Sequence, residues 1–344
     1  MYAKISKDRA EELKKFLIRN SVLVKGFKVL HSNSYVLYPV DIKVAKIKKL
    51  IEKRGGTLVA DSSGSSTAAL PEAAAKKQNF RMPGYDILGN ISVVEIPDRM
   101  EGEEGAISKA IMESHKGVGT VLAKAGPVTG IYRTRKLKYV AGKRSYIATY
   151  RENGCTFRFN VRDVFFSSRL SYERARIASL ASPREKVIVM FAGAGPFAIE
   201  IAKRQPSAEV IAIDINRKAF EWMKENVSIN KTSNVTPVLG DVDAVAEKYA
   251  GFADRIVMPL PKSSHLHMRS ALLMAKKKAV IHVYAFGSTE GAAADTAKEV
   301  GRLADEIGYS ARPVFSRVVR NYSPKENEVV VDFIVRKRDL RKRQ

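Results

Sequence analysis

The sequence predicts an α/β chain: a doubly wound, Rossmann-like domain preceded by two smaller α+β domains. Three observations carry that expectation. The apolar runs VIVM (187–190), EVIAID and VTPVL recur with helix-compatible stretches between them, as parallel strands joined by crossover helices do. Each run ends in glycine or a carboxylate: the turn Gly193 to Gly195, then Asp214, then Asp241. Finally, VIVMFAGAGPF followed directly by FAIEIAKRQ reads as strand, tight glycine turn and helix, the place where such sheets receive a nucleoside.

Taken in order, residues 8–19 carry apolar residues at helical spacing, and KVLHSNSYVLYPV suggests a pair of strands. Ile42 to Arg54, with Val44, Ile47, Leu50 and Ile51 on one stripe, predicts a second helix. These make a small domain over residues 1–55. The stretch 56–80 is small, polar and poor in large apolar residues, the composition of a linker. A middle domain is expected over 81–165. There DILGNISVVEIP reads as one alternating strand, EEGAISKAIMESHKG as a helix with Ile107, Ile111 and Met112 inward, and four further runs as strands. Alternation puts Arg133 and Arg135 on one face of the strand YRTRKLKYVAG. The third domain is expected over 166–344. It is entered by a helix that begins near Tyr172, with Glu173 in its first turn, where the helix dipole favours a carboxylate. It closes with two strands around SPKEN, an antiparallel hairpin.

Charge indicates the kind of partner. Sixty Lys and Arg against 36 Asp and Glu give a formal net charge of +24, which favours a polyanion, most simply a nucleic acid. A single cysteine, Cys155, rules out an internal disulfide and a cysteine-rich zinc site. No run reaches the ~20 apolar residues of a membrane span, and MYAKISKDRAEELKKF has no signal-peptide core. A cytoplasmic monomer is expected, without metal or membrane. His265 and His267 fall on different faces at helical spacing and lack accompanying ligands.

The ligand follows from the glycine turn. A dinucleotide fingerprint needs a third glycine to admit a pyrophosphate at the helix start, but Pro196 and Phe197 stand there. A nucleoside without a phosphate bridge fits better, which points to S-adenosylmethionine rather than NAD.

The phrases RENGCTFRFNVRDVFFSSRLSYER, FAGAGPF, AIDIN, LPKSSH and VRNYSP, in that order, resemble the archaeal and eukaryotic tRNA (guanine-N1)-methyltransferase family. That family modifies the guanosine immediately 3′ of the anticodon. The resemblance runs from about Tyr85 to Arg336 and implies a class I methyltransferase domain, a tRNA partner and S-adenosylmethionine. Carried over residue by residue, it implies Glu173 as general base and Arg133 as the contact to the guanine carbonyl oxygen, with Arg135 and Arg169 on the substrate side. It implies donor contacts from Arg174, Asp214, Ile215, Asp241 and Val242; Phe191, Gly193, Gly195 and Pro261 are expected to complete the cofactor site.

One position departs from the family. Where Asn-Leu-Pro is usual, this chain has Pro259-Leu260-Pro261, and proline offers neither a side-chain partner nor an N–H. That change resembles the bifunctional branch of wyosine synthesis, which methylates guanosine N1 and also carbon 7 of the precursor 4-demethylwyosine; Pro259 is therefore grouped with the catalytic residues. Two alternatives stay open. An aminocarboxypropyl transferase of the same pathway would release methylthioadenosine instead of S-adenosylhomocysteine, and a non-catalytic tRNA-binding protein would bind no cofactor.

Overall fold

The computed structural model describes residues 2–19, 30–31, 34–39, 51–52, 57–59 and 82–338. It separates into two compact units, Met1–Ala68 and Ala69–Gln344. In the first, β1 (Tyr2–Ser6), α1 (Ala10–Arg19), β2 (Leu30–His31), β3 (Tyr35–Pro39) and β4 (Thr57–Val59) form a sheet of order β2-β3-β1-β4. Leu13 and Leu17, one turn apart on α1, are buried with Ala3, Ile5, Val36 and Tyr38. Strand β1 was not anticipated, and β4 lies within the stretch read as linker. Both are short, and β4 is recognisable by its pairing with β1, Tyr2 to Val59, Ala3 to Leu58 and Lys4 to Thr57. The remainder of that stretch and most of the helix expected over 42–54 lie outside the described residues.

The second unit opens with β5 (Tyr85–Leu88), β6 (Ile91–Val94), α2 (Glu104–Ser114), β7 (Thr120–Thr129) and β8 (Thr134–Gly142), a sheet of order β5-β6-β7-β8. The single strand expected over DILGNISVVEIP is a hairpin. Gly89 turns it at φ +63°, and a Cβ there would fall 1.8 Å from the Thr149 carbonyl oxygen. Ile107 and Ile111 are buried under the sheet and Met112 partly so, as their spacing requires. Strands β9 (Ile147–Glu152) and β10 (Cys155–Asn160) form a separate pair.

A seven-stranded sheet follows, built from β11 (Lys186–Val189), β12 (Glu209–Asp214), β13 (Val235–Leu239), β14 (Ala253–Met258), β15 (Ala275–Ser288), β16 (Tyr309–Ser323) and β17 (Glu326–Lys337). Its order is β13-β12-β11-β14-β15-β17-β16. The first five strands are parallel, and β17 runs antiparallel between β15 and β16. Helices α3 (Ser171–Leu180), α4 (Pro196–Arg204), α5 (Arg217–Asn230), α6 (Val242–Val245), α7 (Met268–Met274) and α8 (Ala292–Glu306) connect and cover it. Apolar residues of β11, β12 and β14 alternate between two cores, Ile188 and Ile256 in one and Val187 and Val257 in the other, as expected of strands covered on both faces. The β9–β10 pair is tied to this domain by Asn226 and Asn230 of α5, whose amides exchange hydrogen bonds with the backbone of Arg158 and Thr156.

Candidate active site

The glycine turn after β11 is fixed by its neighbours. Phe191, Gly193 and Gly195 all have positive φ, at 54°, 58° and 87°. Gly195 has no alternative: a Cβ there would stand 2.9 Å from Met223 Cγ. Asp214, at the end of β12, accepts from Gly193 N–H at 2.6 Å and from Asn216 N–H at 2.8 Å. One carboxylate thus joins the turn to the start of α5. Burial raises the pKa of that carboxyl, and the two backbone hydrogen bonds oppose the rise.

Above this edge lies a cavity of about 1030 Å³. Phe191, Ile215, Asp241 and Val242 line it from the sheet edge, Phe165 and Arg169 from the segment before α3, and Arg133 and Arg135 from the middle domain. Asp241 is exposed and caps α6 by accepting from Asp243 N–H. Ile215 is 39% exposed. Apolar plates beside an exposed carboxylate are the donor set a nucleoside needs, so these residues fit an adenosine.

Arg133 is not in a strand with Arg135. It sits at φ 52° in the turn before β8, stacked 4.8 Å from the Phe165 ring centroid. Alternation placed both on one strand because it cannot register where a hairpin turns. Burial lowers the pKa of the Arg133 guanidinium and Glu328 opposes this; arginine stays protonated throughout the accessible pH range. The Arg135 Nε atom is buried and has no hydrogen-bond partner among the described residues. Arg169 is paired with Asp86 at 2.8 Å.

Seven residues from the expected site stand off the cavity wall: Gly193 and Gly195 in the turn itself, and Glu173, Arg174, Asp214, Pro259 and Pro261. Glu173 does occupy the first turn of α3, but it is 1% exposed and faces a polar cluster. It accepts from Tyr284 Oη at 2.7 Å and from Arg176, with Arg317 3.5 Å away. Arg176 continues to Asp332, which meets His282 Nδ1 at 2.6 Å, and His282 Nε2 meets Arg255 at 2.7 Å. Since the arginine can only donate, Nε2 must accept and the proton sits on Nδ1, leaving His282 neutral. Burial likewise lowers its pKa.

Arg174 is 2% exposed and forked onto Glu152 at 2.6 and 2.8 Å, with Glu200 at 3.5 Å. Burial and the charge of Glu152 push the Glu200 carboxyl up to about 9. Asp214 spends both oxygens on backbone N–H groups. Pro259 is half-buried at the centre of a three-residue turn closed by Leu260 N–H donating to the Met258 carbonyl at 2.9 Å. Pro261 is buried; its carbonyl accepts from Phe286 N–H.

Several wall residues were not expected in the site: Phe165, Lys262, Arg320 and Tyr322, and His267, which the sequence offered only as an unaccompanied histidine. His267 is held by Asp243 and packs edge-on against Phe191. Arg320 and Tyr322 fall inside VRNYSP, a phrase carrying family resemblance, but nothing local marks them as facing a cavity.

A sheet of this order, with an antiparallel strand inserted before the last and a glycine turn after its first strand, is that of a class I methyltransferase. Residues 148–312 match the TRM5/TYW2 methyltransferase domain, and residues 71–145 match the TYW2 N-terminal domain. The tRNA (guanine(37)-N(1))-methyltransferase Trm5b of Pyrococcus abyssi is 33% identical over 332 residues, 96% of this chain and 98% of that protein. Its crystal structure is similar with a TM-score of 0.69 over 97% of this chain and 99% of that one. The complex structure of aTrm5 and tRNALeu gives a TM-score of 0.67 at 28% identity, covering 97% and 99% of the two chains. The tRNA (guanine(37)-N(1))/4-demethylwyosine(37)-methyltransferase Taw22 of Nanoarchaeum equitans is 28% identical over 309 residues, 75% of this chain and 97% of that protein. The chain belongs to the TRM5/TYW2 methyltransferase family.

Proposed function

We propose that this protein methylates N1 of guanosine 37 in tRNA and also accepts 4-demethylwyosine at that position, using S-adenosylmethionine. One observation carries the reading: a single cavity brings the nucleoside-binding edge, Phe191, Ile215 and Asp241, together with Arg133 and the unpartnered Nε of Arg135. The cofactor supplies an electrophilic methyl group. The protein's residues handle the charge and the proton. The lone pair of guanine N1 is delocalised, so N1 becomes nucleophilic only as its proton leaves and negative charge gathers on O6. Arg133, oriented by Phe165, is the stabilising donor to that oxygen. Glu173 is the proposed proton acceptor. For that role one of its oxygens must exchange a bond from Arg176 or Arg317 for the base when tRNA is bound.

The second substrate is favoured by Pro259, whose tight turn leaves no amide side chain projecting where the family usually has asparagine. The enzyme is taken to act as a cytoplasmic monomer. Incubation with unmodified tRNA, followed by mass spectrometry of anticodon-loop nucleosides, tests the reading. 1-Methylguanosine together with S-adenosylhomocysteine is the expected result; methylthioadenosine would mean aminocarboxypropyl transfer instead.

A further inference from the structure

The terminal hairpin supplies a second arginine to the cavity. Arg320, Asn321 and Tyr322 of β16 lie on its wall, and the β16–β17 register is irregular just before Arg320 and again at Tyr322. Bulges of this kind re-aim side chains that strict alternation would send elsewhere. Across the ladder from Arg320 stands Glu328, 2% exposed, and Arg320 Nε donates to its Oε2 at 2.5 Å. The same carboxylate attracts Arg133, which Arg320 repels. The buried Glu328 is thus bonded to Arg320 and within electrostatic reach of Arg133.

Both groups are also backed by aromatic rings. Arg133 stacks on Phe165, Arg320 lies 5.7 Å from the Tyr322 ring centroid, and Tyr322 packs 4.5 Å from Phe286. With its Nε committed to Glu328, Arg320 keeps its terminal nitrogens for a ligand, a fork suited to two oxygens of one phosphate. Tyr322, beside Arg320, is 52% exposed, so this part of the wall lies toward the open side of the cavity.

We infer that Arg320 binds a backbone phosphate of the RNA strand carrying the reacting nucleotide, and that Glu328 is the positioning residue that fixes Arg320. This rests on the reading of the cavity as the site of the reacting guanosine. The test uses the full chain, an unmodified tRNA transcript, and Arg320→Ala, Arg320→Lys and Glu328→Gln, with tRNA affinity measured over a salt series. Arg320→Ala should weaken tRNA binding about tenfold or more at low salt and reduce the salt slope by about one. The KM for tRNA should rise more than kcat falls. Arg320→Lys should restore the slope but only part of the affinity, because it keeps the charge and loses the fork.

Glu328→Gln separates positioning from simple electrostatics. Removing a negative charge beneath two arginines would by itself tighten tRNA binding, whereas loss of positioning predicts weaker binding and a lower kcat. Tighter binding in Glu328→Gln, or an unchanged slope in Arg320→Ala, overturns the inference. So does a kcat loss in Arg320→Ala at unchanged slope, which would assign the contact to a base oxygen. If Glu328→Gln fails to fold, the Arg320 variants decide alone. A wild-type chain that binds tRNA with the expected Arg320 slope change but forms no methylated nucleoside would sink the proposed function and leave the phosphate contact standing.

Discussion

The Tyr284 hydroxyl, fully buried in β15, donates to Glu173 Oε1 from 2.7 Å. It holds the first-turn carboxylate of α3 against the sheet rather than against the cavity. This contact makes the role of Glu173 open to separation. Glu173→Gln keeps the shape and the bond from Tyr284 but cannot accept a proton; turnover at guanosine N1 should fall about 10²–10⁴-fold, the range for a general base, while tRNA and cofactor binding persist. Tyr284→Phe should leave the carboxylate in place and reduce turnover far less. Normal turnover in Glu173→Gln would move the base elsewhere.

Asp214→Ala leaves two backbone donors, Gly193 N–H and Asn216 N–H, without their acceptor. Each buried unsatisfied donor costs about 1–3 kcal/mol, and the glycine turn loses its tie to α5. Calorimetry should show weaker S-adenosylmethionine binding together with a lower melting temperature. Unchanged affinity with a lowered melting temperature would make the tie purely structural.

Acid should destabilise the fold through the His282–Asp332–Arg176 cluster. Burial lowers the pKa of His282, so below its ordinary value near 6.5 the unfolded chain takes up a proton that the folded chain refuses. Stability then falls as pH falls below about 6.5. Asp332 acts further down. Burial alone would raise its carboxyl, but the bonds from His282 and Arg176 overcome that and hold it at about 2. Its contribution, about 2 kcal/mol, is present above about 4 and lost as pH falls toward about 2. Urea melts between pH 4 and pH 8 read the histidine part, and His282→Gln, which can bond both neighbours without titrating, should flatten the slope below about pH 6.5.

Pro259→Asn should favour guanosine N1 over the tricyclic base, because asparagine returns a donor and an acceptor to the base edge. The ratio of the two methylated nucleosides, measured on tRNAs carrying either precursor, checks this. An unaltered ratio would remove Pro259 from substrate choice.

Strands β11 to β13 were legible because they are largely apolar and lead into glycine or aspartate, signals that need no distant partner. Arg133 was legible by type but not by place, since alternation could not locate the hairpin turn ending just before Thr134. Gly89-Asn90 was likewise read through as strand, although the turn there depends on close approach to Thr149. The buried ion clusters gave no local sign. Arg176 meets Asp332 across 156 positions and Tyr284 meets Glu173 across 111, so no window of sequence contains both members. Glu328 and Arg320 are only eight apart, yet their shared burial comes from strand insertion, which periodicity does not report.

The insertion of β17 between β15 and β16 also sets an order of appearance during synthesis. The glycine turn and the Arg133 turn lie well upstream of the hairpin, and chains acquire structure from the N-terminus as they emerge. The wall formed by Arg320 and Tyr322 closes only after Glu326–Lys337 has left the ribosome and threaded into the sheet. A nascent chain can therefore present the nucleoside edge before it can grip a tRNA there, and the complete cavity waits on β17.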